Sequence, residues 1–183
     1  MAGASMKDIK LRIKSVESTM QITKAMELVA SSKLRKAKER QERCRPYFTG
    51  LKQTLESIET ATHDFSSPYQ QHREVKKRCL IVIAGDRGLA GGYNSNVFKS
   101  VLPLLREGPV CVLPIGKRTV EFFARNDVEM LTTEFAEAAS VSVADCFTIS
   151  NLVTQGYLSG QYDEVSVVYT RFVSMLTQTP AHD

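Results

Sequence analysis

Apolar residues in the first third of the chain recur at alternating spacings of three and four, the pattern of one helix face. They form two stripes, Met6, Ile9, Ile13, Val16 and Met20 in the first and Cys44, Phe48, Leu51, Leu55 and Ile58 in the second. Between the stripes the apolar positions drift through Ile22, Met26 and Val29 into a basic run. The spacing predicts a long helix with coiled-coil character at both ends, about 80 Å long. Pro46 predicts a kink or a break within it.

Such a helix is not stable alone, because its apolar stripes need burial. The remainder of the chain contains no second long heptad segment that would pair with it. We therefore expect the segment to need a partner helix, and to fray or self-associate when that partner is missing.

The pattern changes after a polar stretch at 63–75, beyond which short apolar runs alternate with helical segments. The predicted strands are 79–84, 110–115, 128–131 and 164–172, and the predicted helices are 94–106, 117–125 and 142–158. This alternation predicts a mainly parallel sheet covered by helices on both faces. The predicted organisation is a helix at 1–62, a linker at 63–75 and a Rossmann-like α/β domain at 76–183.

The charge is unevenly placed along the chain. The net charge is +4, but residues 7–45 carry 12 Lys/Arg against five Asp/Glu, whereas the remainder carries 12 against 15. A basic arm on a slightly acidic body indicates either an acidic partner or a solvated helix face.

The four cysteines are scattered without a CxxC pair, which favours free thiols in a reducing compartment. Cys146 is expected to be a small core residue of its helix. No apolar run is long enough to span a bilayer, and the start shows no signal or transit peptide. A bacterial cytoplasmic setting is the default expectation.

The stretch IAGDRGLAGGYNSN, residues 83–96, follows a buried strand and precedes a helix, as phosphate-binding loops do. It fails both nucleotide patterns, however. No Lys-Ser/Thr pair follows Gly91 and Gly92, and the glycine spacing is not GxGxxG. Asp86 would repel a phosphate. We therefore predict that these glycines supply positive φ angles for a tight turn.

Other catalytic patterns are also missing. The histidines lie in the linker and at the end, without carboxylates or cysteines at ligand spacing, so neither a metal nor a cofactor is expected. Lys117 and Arg118 follow a strand at a helix start and are a weak candidate for holding an anion. The sequence predicts no catalytic residue.

Two stretches carry a family resemblance. MKDIKLRIKSVESTMQITKAMELVASSKLRKA, residues 6–37, resembles the N-terminal helix of the gamma subunit of rotary ATP synthases, and AGDRGLAGGYNSN, residues 84–96, resembles the strand-to-helix turn of that family. Their order and spacing also fit, and the likeness continues more weakly to Pro180.

The resemblance implies a non-catalytic subunit that forms the central rotor shaft. In this family, the N- and C-terminal helices form an antiparallel coiled coil inside a ring of alpha and beta subunits. The Rossmann-like domain sits against the epsilon subunit and the ring of c subunits. Proton-driven rotation then drives the catalytic beta subunits through their nucleotide states. The implied location is peripheral, on the cytoplasmic face of the bacterial cell membrane.

The resemblance also implies residues that contact partners. On the helix, Lys24, Arg35 and Lys36 are charges that would meet acidic loops of the beta subunits. Met26 matches a family methionine and is expected where the shaft meets the ring.

In the turn, Asp86 and Arg87 are expected to make a polar contact with a neighbouring subunit. Gly85 and Ala90 differ mildly from the Ser and Cys that the family often carries at these positions. The chain is similar to about the first two thirds of a gamma subunit, without the C-terminal helix.

Two other interpretations stay open at this point. One is a nucleotide-binding α/β enzyme with a helical dimerisation arm. The other is a basic coiled-coil protein that binds nucleic acid, although its basic residues alternate with aliphatic side chains and not with stacking aromatics.

Overall fold

The computed structural model describes residues 5–61, 67–69 and 73–183, and the chain divides into two units, 1–66 and 67–183. The first unit contains one helix, α1 (Met6–Ala61), whose 56 residues make it about 84 Å long. Helix α1 continues through Pro46. Of the two effects predicted for this proline, the break therefore does not occur.

The second unit alternates strands and helices as predicted. Its elements are β1 (Arg78–Ile83), α2 (Tyr93–Glu107), β2 (Val110–Ile115), α3 (Lys117–Arg125), β3 (Glu129–Met130), α4 (Val143–Leu158), β4 (Glu164–Phe172) and β5 (Gln178–His182). The seven predicted elements of this unit are confirmed, with ends that differ by at most a few residues. The eighth, β5, was not predicted.

The strands form one mixed sheet in the order β3-β2-β1-β4-β5. Strand β1 lies at the centre and pairs in parallel with β2 on one side and β4 on the other. Strand β3 pairs in parallel with β2, while β5 pairs antiparallel with β4 and forms the edge. The sheet is therefore mainly parallel, as expected, with an antiparallel edge strand.

Helices cover both faces of the sheet, which gives three layers. On one face, α2 and α3 pack on the strands through a buried cluster of Leu80, Val82, Val97, Val101, Val112, Phe123 and Val168. On the other, α4 packs through Leu113, Ile115, Phe135, Ile149 and Val153. Alternate residues of β1 point to opposite faces, so the central strand contributes to both clusters.

The thiols separate into two exposed and two buried ones. All four are free, with Cys79 and Cys111 buried side by side in the sheet and Cys44 and Cys146 exposed. The expectation that Cys146 is a core residue is therefore wrong. Ile149 and Val153 are the α4 residues of this face that enter the core. Cys146 lies only about 20° from Val153 around the helix, but it is in the first turn of α4, where it is exposed.

The large apolar side chains of α1 are exposed along the helix, apart from the half-buried Leu34. Met20 is 63% and Phe48 67% exposed, and the other members of the two stripes resemble them. No helix in the described part of the chain is both long and apolar enough to cross a membrane.

Candidate partner-contact sites

The turn after β1 is held together by Asp86. The backbone N–H groups of Ala138 and Ala139 donate to its two carboxylate oxygens at 2.8 and 3.1 Å. The backbone N–H of Lys117 also donates to Oδ1 of Asp86, at 3.2 Å. Asp86 thereby joins three loops at the carboxyl edge of the sheet.

The electrostatics of Asp86 follow from these donors. Partial burial disfavours the charged carboxylate, but the backbone N–H groups of Ala138, Ala139 and Lys117, together with Arg87, outweigh burial and lower the pKa of Asp86. The carboxylate is already engaged within the chain. Arg87 is the exposed member of the predicted contact pair, and the contact of either residue with a partner stays a prediction.

Asn94 closes the turn from the first turn of α2. The backbone N–H of Gly85 donates to Oδ1 of Asn94 at 2.8 Å, and Nδ2 of Asn94 donates to the carbonyl of Arg87 at 3.2 Å. The amide of Gly85 is therefore used internally, where a phosphate loop would keep it for the ligand. The sequence analysis missed Asn94, and its position at a helix start was the available signal.

The positive φ angles are not distributed over the glycines as predicted. Gly91 has φ of 55°, but the other residue of this turn with positive φ is Leu89, at 59°. Gly92 has φ of −81°, so the prediction that the glycines as a group supply positive φ is wrong. Leu89 is 99% exposed, and the turn presents it outward.

The crevice beside this turn is small and carries no basic side chain. Its volume is about 170 Å³, and its lining is Ala90, Gly92, Tyr93, Asn96, Thr170, Leu176, Gln178 and Pro180. Sites for drug-sized ligands are usually about 300–1,000 Å³. Neither the size nor the lining suits a nucleotide.

In the predicted anion site of Lys117 and Arg118, the Arg118 guanidinium is already paired within the chain. Nη1 of Arg118 donates to Oε2 of Glu121 at 2.9 Å, and the Arg118 guanidinium lies against Gly88. The Lys117 side chain is exposed.

The two apolar stripes of α1, which were predicted as separate segments, lie in one unbroken heptad register. The middle of the seam is mostly polar or small, with one leucine; its residues are Thr23, Glu27, Ala30, Leu34, Ala37 and Gln41. A strict heptad repeat over this length is the pattern of a left-handed coiled coil. The two ends of α1 can therefore pair with the same partner helix.

The four predicted contact residues of α1 do not share one face. At about 100° per residue, Lys24 and Arg35 lie about 20° apart around the helix and about 16 Å apart along it. Lys36 lies about 120° from Lys24, and Met26 lies about 160° from it on the opposite side. The helix thus groups the two cations Lys24 and Arg35 and separates them from Met26.

A second apolar surface lies off the heptad seam. Ile22, Met26 and Val29 fall within about 60° of one another. Ile22 and Val29 lie about 130° from the middle of the seam, whereas Met26 lies at the edge of the seam, about 40° from Ala30 and 60° from Thr23. Their exposed fractions are 60%, 55% and 58%. A helix that used only its seam would have no reason to carry this group, which we call the side patch.

Comparison with known proteins gives the family. A profile of the ATP synthase family matches residues 5–183. The ATP synthase gamma chain of Ruminococcus albus is 46% identical over 98% of this chain and 64% of its own length. The gamma chain of Acetobacterium woodii, named as sodium ion specific, is 41% identical over 95% of this chain and 58% of its own.

A solved structure has a similar fold. The central stalk and c-ring structure of the Tetrahymena thermophila mitochondrial ATP synthase contains a chain that aligns with a TM-score of 0.63 at 24% identity, covering 88% of this chain and 70% of that one. The chain spans about 64% of the length of the Ruminococcus relative. Since the family profile covers nearly all of it and the curated relatives are gamma chains, this chain belongs to the family of ATP synthase gamma chains.

Proposed function

We propose that this chain acts in the rotor of the central stalk, where it couples ion-driven rotation to ATP synthesis or hydrolysis in the beta subunits. The observation that carries the proposal is that α1 carries exposed apolar side chains outside its heptad seam as well as within it. A shaft needs one surface for pairing, which stiffens it, and another for contact with the ring around it.

The side patch supports a contact zone near the first third of α1. Ile22, Met26 and Val29 are exposed, and Ile22 and Val29 lie away from the seam. If the seam is filled by a partner helix, Ile22 and Val29 still face outward, and Met26 lies at the border between the seam and this outward face. Met26 is then in reach of a surrounding ring of alpha and beta subunits.

The basic side of α1 supports an electrostatic contact. Lys24 and Arg35 share one face within a segment that carries a large excess of cations. Acidic loops of the beta subunits are the partners that the family implies. Lys36 lies on another face and would meet them at a different rotational position.

The α/β domain is proposed to contact the epsilon subunit and the c ring, which places the chain peripherally at the cytoplasmic face of a bacterial membrane. The likeness to a chain from a central stalk and c-ring structure supports this placement. The driving ion is proposed to be the proton, and sodium is the alternative, since a relative at 41% identity is named as sodium ion specific.

The nucleotide-binding enzyme is the weaker candidate. The turn after β1 uses its Asp86 carboxylate and its Gly85 amide for internal hydrogen bonds. The crevice beside it has a volume of only about 170 Å³. Both observations favour a turn that supports the fold over a turn that binds phosphate.

The test is a charge placed in the side patch of the assembled complex. Met26→Lys would bury an ammonium in the contact zone, which costs several kcal/mol without a partner. Leu11→Lys is the matched control, because Leu11 is 59% exposed and Met26 is 55% exposed. Leu11 lies outside the seam and about 16 Å along the helix from Ile22, the nearest residue of the side patch.

The readout is the amount of ion pumped per ATP hydrolysed. We expect this ratio to fall with Met26→Lys and to stay near the wild-type value with Leu11→Lys. Equal ratios in the two variants would show that Met26 does not lie in the contact zone.

A further inference from the structure

The chain leading from α1 to the sheet is held against the α/β domain well before β1 begins. Residues 67–69 and 73–77, which we call the approach segment, belong to the same unit as the sheet. Their contacts converge on two residues near the end of α4, Tyr157 and Asp163. Neither residue belongs to the partner-contact sites described above.

Tyr157 holds the approach segment through its ring and its backbone. The Arg73 guanidinium carbon lies 4.4 Å from the Tyr157 ring centroid, a cation–π distance. The ring of Tyr69 stacks on the same residue, with centroids 6.0 Å apart and planes 18° apart. The ring of Tyr157 therefore contacts two side chains of the approach segment.

The backbone contact of Tyr157 adds a helix-end interaction. Nη1 of Arg73 donates to the Tyr157 carbonyl at 2.9 Å, in the last turn of α4. The Tyr157 carbonyl also accepts from the Gly160 N–H, at 3.2 Å, and the helix dipole favours a cation at this end. Arg73 supplies both a donor and a positive charge.

Asp163 fixes the last residues before β1. The backbone N–H groups of Lys76 and Lys77 both donate to its Oδ2, at 2.9 and 3.1 Å. In return, the N–H of Asp163 donates to the Lys77 carbonyl at 2.9 Å. The two backbone donors lower the pKa of Asp163, so the carboxylate is charged and accepts strongly at neutral pH.

These contacts matter if torque must pass between the domain and the shaft. A free linker across 62–77 would behave as a coil with an end-to-end distance of roughly 20 Å, and a coil transmits twist poorly. The contacts with Tyr157 and Asp163 hold residues 73–77 on the α/β domain, so these residues do not belong to such a coil. The clamp therefore has a mechanical consequence that a free connection lacks.

We propose that Arg73, Tyr157 and Asp163 form a torque clamp, which makes the approach segment part of the rotating α/β domain. This inference rests on the proposed rotor function. The three are positioning residues, because they act by stiffening the connection to α1.

The experiment compares three forms of the chain in the assembled complex: wild type, the double variant Arg73→Ala/Tyr157→Leu, and Lys76→Ala. Tyr157→Leu keeps an apolar side chain at a half-buried site. Lys76 is the control because its side chain is exposed and its contribution to the clamp comes from its backbone. A probe on the α/β domain reports angular fluctuation relative to the fixed ring while rotation is stalled.

We expect the double variant to show larger angular fluctuation than wild type. Its amides at 74–77 should exchange about tenfold faster, because the approach segment loses one hydrogen bond and one cation–π contact and opens more often. The thermal unfolding midpoint of the domain should change little, which separates stiffness from general destabilisation. Lys76→Ala should match wild type in all three readouts.

Two results would overturn the clamp. One is unchanged amide exchange in the double variant, since the contacts would then not hold the segment. The other is faster exchange with unchanged angular fluctuation, since the contacts would then carry no torque. If the wild-type probe fails to rotate with ATP, the rotor proposal itself fails, and the clamp fails with it.

Discussion

Asp86 and Ala138, which are 52 positions apart in the chain, are joined by a hydrogen bond of 2.8 Å from the Ala138 N–H to Oδ1 of Asp86. With Ala139 and Lys117 as further donors, this carboxylate fastens three loops together. Asp86 therefore has a structural role in the turn that resembles a phosphate loop, and replacing it should lower the stability of the α/β domain.

Asp86→Ala should lower the free energy of unfolding of the α/β domain by about 1–3 kcal/mol, because three backbone donors lose a charged acceptor. Urea unfolding followed by circular dichroism measures the change. Glu134→Ala is the control, since the Glu134 side chain is exposed. An effect no larger than that of the control would contradict the fastening role.

The stability that Asp86 contributes should depend on pH in a defined direction. The pKa of Asp86 is lowered from its ordinary value of 3.8. Its contribution is therefore fully present above that value and is lost as the pH falls through the lower, folded-state pKa. The difference in stability between wild type and Asp86→Asn should be largest near neutral pH and shrink below pH 3.8. A difference that grows on acidification would contradict the assignment.

Gly156 should resist substitution in a way that Gly50 does not. A Cβ at Gly156 would lie 2.2 Å from the Tyr162 hydroxyl, and Tyr162 is 1% exposed and donates to the Val153 carbonyl. Gly156→Ala should therefore destabilise the domain by about 1–3 kcal/mol through overpacking. A new Cβ at Gly50 would have no atom within 4 Å. Gly50→Ala should therefore stabilise α1 by about 1 kcal/mol, the difference in helix propensity between Gly and Ala. Thermal unfolding of both variants checks the pair, and a stable Gly156→Ala would show that Tyr162 moves aside.

The four thiols should react in two classes. Cys44 and Cys146 are exposed and should react quickly with a soluble disulfide reagent, whereas Cys79 and Cys111 are buried. The hydrogen bond with the Cys111 thiol, followed by burial, raises the pKa of Cys79, which suppresses its reactive thiolate. Two thiols should react in the native chain and four in denaturant. Four fast thiols in the native chain would contradict the buried pair.

The sequence predicted the elements that local pattern determines and missed what distant residues determine. The buried strands β1 and β2 are short apolar runs bounded by turns, so their positions were readable. Strand β5 contains Pro180, which argues against a strand in any single-sequence analysis. Pro180 lies opposite Thr170 at the free edge of the sheet, where a proline is tolerated and discourages further pairing.

The contacts of the turn were also beyond sequence reasoning. The partners of Asp86 are backbone groups more than thirty positions away, at 31, 52 and 53 residues, and backbone donors leave no trace in side-chain identity. Cys146 shares the helix face of Ile149 and Val153, but periodicity does not show that the first turn of α4 is exposed. The apolar residues of α1 were identified, but their single heptad register became evident only once the helix was seen to continue through Pro46.

The most direct test of the account is to observe rotation of this chain in the assembled complex. Cys44→Ser leaves Cys146 as the exposed thiol for a probe on the α/β domain, and the alpha and beta ring is fixed to a surface. The account predicts that ATP drives unidirectional rotation of the probe. A probe that stays fixed relative to the ring while the complex hydrolyses ATP would contradict it.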